Sequence, residues 1–170
     1  PDRNAGFSTA NPGRLYLPPC QDPVYGHQSV NVEAQRDTST SLLNWTRTML
    51  AVRRRYDVFA TGAFRELGGS NPSVLAYVRE GVREGVSEGV SEGAHDGPRE
   101  SGAGDTVLCV NNLSRFPQPI ELNLQHWSGY TPVELTGHVH FPRIGQLPYL
   151  LTLPGHGFYW FQLTESEGQG

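Results

Sequence analysis

One helix followed by an antiparallel β-sandwich is the fold that this sequence predicts. The first observation is a set of short apolar runs after residue 63, rich in β-branched residues, which is typical of strands. The second is the 20 glycines and 13 prolines of the 170-residue chain, which separate those runs with turns. The third is a single stretch before residue 60 whose apolar residues recur three and four positions apart. A β-domain with one helix at its start accounts for all three.

An irregular segment over residues 1–37 precedes the helix and has no regular hydrophobic period. Such a long segment in a compact protein is usually functional or packs on a neighbouring body. The helix is predicted over residues 42–56, where the apolar side chains form one stripe. Ser39 or Ser41 is the candidate N-cap. The arginines at 53–55 suit the negative end of the helix dipole, which favours a solvated basic end over a phosphate or nucleic-acid site.

Five strands are predicted in the β-domain. Residues 120–124 alternate between apolar and polar, which predicts one buried and one exposed face. Pro154 to Gly157 is a turn signal, and we interpret it as the connector of a hairpin. The predicted strands are residues 74–78, 106–110, 120–124, 149–153 and 158–163.

A four-residue repeat, Arg-Glu-Gly-Val in its first form, interrupts the β-domain over residues 79–94. A helix would align its glutamates one turn apart, and each glycine would cost about 1 kcal/mol relative to alanine. A strand would place valine and glutamate on the same face. We therefore predict a mobile hairpin loop over residues 79–104 in preference to a calcium- or partner-binding acidic loop.

Charge and composition exclude several classes of protein. The formal charge of −4 argues against a nucleic-acid module, which would carry a basic surplus. No run of 18 apolar residues predicts a membrane span, and no signal peptide is visible. Because the chain starts with Pro1 and not methionine, we expect the natural start to lie upstream. Cys20 and Cys109 are interpreted as two buried, reduced thiols of a cytoplasmic protein.

The residues alone reveal no catalytic set. His138 and His140 share one face of a strand, but no cysteine or nearby carboxylate completes a metal site, so we expect no metal and no cofactor. No glycine-rich phosphate loop or nucleophile motif is present. Asp2, Asp22 and Glu33 lie in the irregular segment and are candidates to line a sugar site, although their spacing supports no acid pair.

Several segments resemble one known family. The early segments closely resemble the end of the catalytic barrel in trehalose synthases, the maltose α-D-glucosyltransferases of the α-amylase superfamily of glycoside hydrolases. The later segments are similar to the last barrel helix and the C-terminal β-domain of that family. The early ones are Asp2-Arg3-Asn4-Ala5-Gly6-Phe7-Ser8, Leu17-Pro18-Pro19, Asp22-Pro23-Val24-Tyr25-Gly26 and Val30-Asn31-Val32-Glu33-Ala34-Gln35. The later ones are Ser41-Leu42-Leu43-Asn44-Trp45-Thr46-Arg47, Val110-Asn111-Asn112-Leu113-Ser114-Arg115-Phe116, Pro132-Val133-Glu134-Leu135, and Leu147-Pro148-Tyr149 with the residues through Trp160-Phe161.

The resemblance implies a mainly β fold: a C-terminal antiparallel β-sandwich preceded by the last loop and helix of a (β/α)8 barrel. Residues 1–60 would be the end of the catalytic barrel and residues 61–164 the β-sandwich domain. The repeat loop at 79–104 would interrupt that domain, and residues 165–170 would form a tail.

The resemblance also implies a retaining mechanism, in which an aspartate attacks the anomeric carbon of maltose and a glutamic acid protonates the departing glucose. That glucose turns and attacks again, giving trehalose. In the family the nucleophile, the acid/base and a third, stabilising carboxylate all lie upstream of this segment. We therefore expect no catalytic residue here and no activity of the chain alone. Arg3 and Asn4, in the loop after the last barrel strand, are the candidate substrate contacts at the active-site rim. Phe7 and Tyr25 are interpreted as packing under that loop in preference to stacking on sugar.

The expected ligands are maltose and trehalose in the parent active site, and a homo-oligomer or a maltose kinase is the candidate partner. Two alternatives stay open. One is the C-terminal part of an oligo-α-glucosidase, because the Asn-Ala-Gly-Phe and Asn-Val-Glu-Ala-Gln segments also occur in those enzymes and in sucrose isomerases. The other is a free-standing carbohydrate-binding β-sandwich, which would need an exposed row of Trp127, Tyr130 and Trp160, although we expect Trp160 to be buried. Cys20 and His27 depart from the family pattern, where an apolar residue and a tyrosine are expected.

Overall fold

The structure is a computed structural model that describes residues 3–81 and 105–165. It comprises two compact units, Pro1–Ala51 and Val52–Gly170, which are described separately. No helix in the described ranges is both long enough and apolar enough to cross a membrane. The predicted boundary between a barrel end and a β-domain at residue 60 stays a prediction.

The first unit is built from short turns and helices. Two 3₁₀ turns, Arg3–Gly6 and Pro12–Arg14, are followed by helix α1, Val32–Arg36, and by the start of helix α2, Leu42–Arg55. Asn31 caps α1 because its side-chain oxygen accepts from the Ala34 N–H at 2.8 Å. The predicted helix is therefore present, and residue 56 lies just beyond its end.

Polar side chains close the connection between α1 and α2. Asn44 Nδ2 donates to the carbonyl oxygens of Gln35 and Thr38 at 3.1 and 2.9 Å. Ser41 Oγ donates to the Gln35 carbonyl at 2.6 Å and accepts from the Asn44 N–H at 3.2 Å, so Ser41 is the N-cap of α2. Gln35, Ser41 and Asn44 all stand in segments that carry the family resemblance, and here they hold a helix–helix corner.

In its described residues, the second unit contains a short helix and seven strands. Helix α3 is Val58–Thr61. The strands are β1 (Ala63–Leu67), β2 (Val74–Glu80), β3 (Thr106–Asn112), β4 (Gln118–Leu122), β5 (Tyr130–Glu134), β6 (Tyr149–Leu153) and β7 (Phe158–Glu165). All five predicted strands are present, and β1, β5 and α3 were not predicted. Arg79 and Glu80, assigned to the repeat loop, belong to β2, and the rest of that loop prediction concerns residues 82–104, outside the described residues.

The strand pairs of the described residues are all antiparallel and form two sheets. The larger has the order β1-β2-β3-β7-β5, and the smaller pairs β4 with β6. Their inward side chains make the main core, which includes Val78, Leu108, Ile120, Leu153 and Phe161. The prediction of a mainly β, antiparallel fold is confirmed, and Glu121 is exposed between buried Ile120 and Leu122 as the alternation predicted.

A second apolar cluster covers the outer face of the larger sheet. Tyr56 and Val58 pack with Val107, Cys109 and Leu135. Burial raises the pKa of the Cys109 thiol to about 11. The expectation of two buried thiols is wrong for Cys20, which is exposed.

The connection from β6 to β7 is not a hairpin, contrary to the sequence-based interpretation. β6 pairs with β4 in the smaller sheet, whereas β7 lies between β3 and β5 in the larger one. The turn from Pro154 to Gly157 therefore crosses between the sheets. It rests on the β3–β4 connection, since the His156 N–H donates to the Ser114 carbonyl at 2.8 Å and the Asn112 N–H to the Gly157 carbonyl at 2.9 Å.

Candidate functional site

The Arg3–Gly6 turn, which contains both predicted substrate contacts, has an unusual backbone. Asn4 and Ala5 have φ values of 54° and 58°, and Gly6 follows at 78°. Three consecutive left-handed residues are rare, because a Cβ in this region clashes with the neighbouring carbonyl and costs about 1–2 kcal/mol per residue. After glycine, asparagine adopts this region most readily. Alanine rarely adopts it, so the backbone of Ala5 is strained. Strain of this kind persists only where surrounding contacts hold it.

Asn4 supplies those contacts. Its Nδ2 donates to the carbonyl oxygens of Ser8 and Ala10, both at 2.8 Å, and its own carbonyl accepts from the Phe7 N–H at 3.2 Å. The residue is only 8% exposed, and Oδ1 is buried without a hydrogen-bond partner among the described residues. Both donors of the Asn4 amide are therefore committed within the loop.

Arg3 and Phe7, in contrast to Asn4, have exposed side chains. Arg3 is exposed, and it borders an open concavity of about 810 Å³ together with Gly6, Phe7, Ser8 and Thr9. Phe7 is 94% exposed. A guanidinium offers a planar fork of donors suited to sugar hydroxyls or to a carboxylate, and an exposed ring offers a stacking face. The expectation that Phe7 packs under its own loop is wrong within this chain.

A second cleft, of about 420 Å³, lies beneath the turn. Asn4 and Ala5 line it, together with Cys20 and His27, the two residues that the resemblance did not predict. His27 Nδ1 is buried without a partner among the described residues. His27, where the resemblance predicts a tyrosine, thus places a polar ring in a cleft lined mostly by apolar side chains.

The two described acidic candidates of the irregular segment, Asp22 and Glu33, occupy local structural positions. Asp22 Oδ1 accepts from the Tyr25 and Val24 N–H groups at 2.9 and 2.7 Å, and these bonds lower the pKa of its carboxyl group. Asp22 therefore shapes a turn. Glu33 lies in the first turn of α1, and Asp2 is outside the described residues. Within the described ranges no three histidine, cysteine or acidic side chains are grouped as metal ligands would be.

Several large apolar side chains of the first unit are exposed to solvent. Tyr16 is 99% exposed and Leu42 is 71% exposed. Tyr25 and Trp45 are exposed as well, so the apolar stripe predicted for α2 is uncovered at its start and buried only at Met49 among its α2 members. Large exposed apolar patches mark surfaces that bind another body.

The β-domain does not present the aromatic row that a free-standing carbohydrate-binding module would need. Trp127 is 4% exposed and lies in the core, with the Arg65 guanidinium 5.0 Å from its ring centre. Trp160 is half-buried on the outer face of the larger sheet, where its ring centre lies 4.9 Å from that of Phe59. Tyr130 is half-buried as well, so the three candidate aromatics do not form an exposed row.

Comparison with known proteins identifies the family. The sequence model described as "Maltogenic Amylase, C-terminal domain" matches residues 64–160, a segment that starts in β1 and ends in β7. The chain belongs to this family. The maltogenic amylase C-terminal domain accordingly coincides with the two-sheet sandwich of the second unit.

Curated relatives extend the similarity over the whole chain. It is 75% identical over 167 residues to the trehalose synthase/amylase TreS of Mycobacterium tuberculosis, covering 98% of this chain and 25% of the relative. It is 57% identical over 170 residues to a trehalose synthase of Pimelobacter, covering 100% of this chain and 27% of that protein. The chain therefore spans about a quarter of the length of these relatives and corresponds to their C-terminal part. The resemblance to trehalose synthases is confirmed.

Solved structures of related enzymes share the fold. The trehalose-6-phosphate hydrolase of Bacillus licheniformis matches 95% of this chain with a TM-score of 0.62 at 17% identity, over 24% of its own length. An isomaltulose synthase mutant of Erwinia rhapontici matches 95% of this chain with a TM-score of 0.57 at 20% identity, over 23% of its own length. Because 95% of the chain is aligned in both cases, the shared fold includes most of the first unit.

Proposed function

We propose that this chain is the C-terminal part of a trehalose synthase that interconverts maltose and trehalose by intramolecular glucosyl transfer. The observation that carries the proposal is the 75% identity, over 98% of the chain, to a trehalose synthase/amylase four times its length. In this proposal the first unit is the end of the catalytic barrel, and the β-sandwich is a structural domain attached to it.

The exposed apolar surface of the first unit supports this assignment. Tyr16, Leu17 and Leu42 are more than two-thirds exposed, and in the proposal the remaining barrel covers them. Each large apolar side chain that becomes buried contributes about 1.5–3 kcal/mol, so such a set would hold the first unit firmly on the barrel. The family resemblance and the exposed apolar side chains thus both support a catalytic barrel that packs on the first unit.

The reaction requires three carboxylates that the family carries upstream of this segment. A nucleophilic aspartate and an acid/base glutamate would form and resolve a glucosyl-enzyme intermediate, with the released glucose retained for the second attack. Asp22 is engaged in a turn, and Glu33 lies in the first turn of α1. We infer that the 170-residue chain alone does not turn over maltose.

Arg3 is the residue of this chain that we propose meets the sugar. Its side chain is exposed at the concavity beside Phe7, and the turn that carries it corresponds in the family to the loop after the last barrel strand. Loops at that end of a barrel form the active-site rim. A guanidinium there would hold the departing glucose by its hydroxyls while it reorients, and the enclosed site would exclude water that otherwise completes hydrolysis.

A chimera tests the proposed function. Residues 1–170 would replace the matching C-terminal segment of the M. tuberculosis relative, and the purified chimera would be incubated with maltose. We expect trehalose as the main product by NMR or chromatography, with the isolated chain inactive. The chimera carrying Arg3→Ala should lose about 10- to 100-fold in kcat/KM, because a positioning contact to the sugar is removed. The matched control is Arg14→Ala, an exposed arginine in the neighbouring 3₁₀ turn.

Two results would contradict the proposal. Release of glucose without trehalose by the full-length parent would favour the oligo-α-glucosidase alternative. Turnover of maltose by the isolated chain would refute the assignment of the carboxylates to the rest of the parent. A complementary measurement is the intact mass of the protein in its native host. A mass well above 18.7 kDa is expected if the barrel precedes this segment.

The partners and location in this proposal rest on the family resemblance. A cytoplasmic protein that forms a homo-oligomer or binds a maltose kinase is expected. Size-exclusion chromatography of the native protein from cytosolic extract, with and without added kinase, measures both. Elution at the mass of a single parent chain in both conditions would remove the partner from the proposal.

A further inference from the structure

The geometry points to Asn4 as a positioning residue that acts through Arg3, and not as a sugar contact of its own. This inference rests on the proposed function, because it concerns how the rim loop presents Arg3 to the substrate. It assigns different roles to the two neighbouring residues that the sequence groups together.

The first step is the direction of the two side chains. Arg3 is exposed and borders the open concavity, whereas Asn4 is almost fully buried and lines the cleft beneath the turn. A sugar in the concavity can meet the guanidinium, but the buried Oδ1 of Asn4 has no accessible surface to offer a hydroxyl.

The second step is the hydrogen-bonding capacity of the Asn4 amide. Its two N–H donors are used by the carbonyl oxygens of Ser8 and Ala10 at 2.8 Å each. A sugar hydroxyl could accept from Asn4 only if one of these bonds broke, leaving a loop carbonyl unsatisfied at a cost of about 1–3 kcal/mol. The existing bonds are therefore favoured over a direct sugar contact.

The third step is the strain that these bonds oppose. Ala5 is held at φ 58°, a conformation that alanine avoids on its own. The two Asn4 side-chain bonds connect residue 4 to the carbonyl oxygens of residues 8 and 10, and they close the loop between these positions. Without these bonds the backbone of the turn would relax. The side chain of Arg3, the first residue of the turn, would then no longer be held in one orientation.

The test uses Asn4→Gly in the full-length chimera. Glycine adopts a φ of 54° without a steric penalty, so this variant removes the two side-chain bonds and leaves the backbone conformation allowed. The matched control is Asn11→Gly, an asparagine of the same loop whose side chain accepts only from the Gly13 N–H at 3.0 Å. Hydrogen exchange of the peptide over residues 4–10 should be faster in Asn4→Gly and unchanged in Asn11→Gly.

A double-mutant cycle with Arg3→Ala separates positioning from direct contact. We expect Asn4→Gly alone to lower kcat/KM for maltose about 10-fold or more, mainly through KM, and to add little in the Arg3→Ala background. Additive losses would show that Asn4 binds the sugar independently and would overturn the inference. Unchanged exchange over residues 4–10 would overturn it as well. If the chimera makes no trehalose, the proposed function fails, and the exchange measurement alone decides whether Asn4 holds the turn.

Discussion

At the scale of single residues, Asn112 connects parts of the β-domain that are distant in sequence. Its buried Nδ2 donates to the carbonyl oxygens of Phe116 and Pro154, both at 2.8 Å, and its Oδ1 accepts from the Ser114 N–H at 2.9 Å. One side chain thus joins the β3–β4 connection to the turn that crosses between the sheets. A buried polar group with this many partners is expensive to remove, because each partner left unsatisfied costs about 1–3 kcal/mol.

We predict that Asn112→Ala lowers the free energy of unfolding by about 2–4 kcal/mol. The matched control is Asn111→Ala, the neighbouring asparagine on the same strand, whose effect should stay below about 1 kcal/mol. Urea unfolding followed by circular dichroism measures both, with the shift in midpoint as the readout. Equal shifts for the two variants would show that the Asn112 bonds do not stabilise the fold.

The sequence alone does not separate Asn112 from Asn111, or Asn4 from Arg3. Both pairs stand in segments recognised by resemblance, and the resemblance marks whole segments, not the side chains within them. Asn112 differs from its neighbour because strand alternation turns it inward, where it also meets the carbonyl of Pro154, 42 positions away in the chain. Ser41 could be predicted as a cap because the helix start is a local pattern, whereas long-range partners leave no local pattern.

At the scale of elements, the turn from Pro154 to Gly157 shows where local patterns mislead. Proline and glycine mark a turn correctly, but they do not tell whether the chain returns in the same sheet or crosses to the other. The strands β1 and β5 were missed for a related reason. β1 is exposed along most of its length and β5 contains Pro132, so neither has the compact apolar run that predicts a strand.

Gly155 is required by this crossing. A Cβ at this position would overlap the backbone carbonyl of Arg115, which cannot move aside as a flexible side chain would. We predict that Gly155→Ala destabilises the domain by about 1–3 kcal/mol through overpacking. The control is Gly145→Ala, since no atom lies within 4 Å of the position its Cβ would take. Thermal unfolding should separate the two variants, and an unchanged melting temperature for Gly155→Ala would contradict the close approach.

At the scale of the whole molecule, the apolar side chains divide unevenly. The β-domain buries two continuous clusters, whereas among the described residues of the first unit only Asn4, Gly26 and Met49 are buried. The pattern fits a segment that completes its core only with other parts of a larger protein. Tyr16, Leu42 and Trp45 are exposed in this unit, whereas Leu15 is half-buried.

We predict that the isolated chain self-associates through this surface. Leu42→Ser, in the exposed start of α2, should lower the fraction of oligomer in sedimentation velocity and reduce binding of a hydrophobic dye. Leu113→Ser is the matched control, because Leu113 is 65% exposed but lies in the β-domain. If both variants reduce self-association, or if neither does, the exposed surface of the first unit does not mediate it.

The place of β7 has a consequence for biosynthesis. It is the last described strand in chain order, yet it lies between β3 and β5 in the larger sheet. On a ribosome, β3 and β5 therefore emerge well before the strand that joins them, and each must wait with an unpaired edge. Exposed strand edges invite pairing with other chains. A nascent chain of this design keeps one edge of β3 and one edge of β5 unpaired until β7 has left the ribosome.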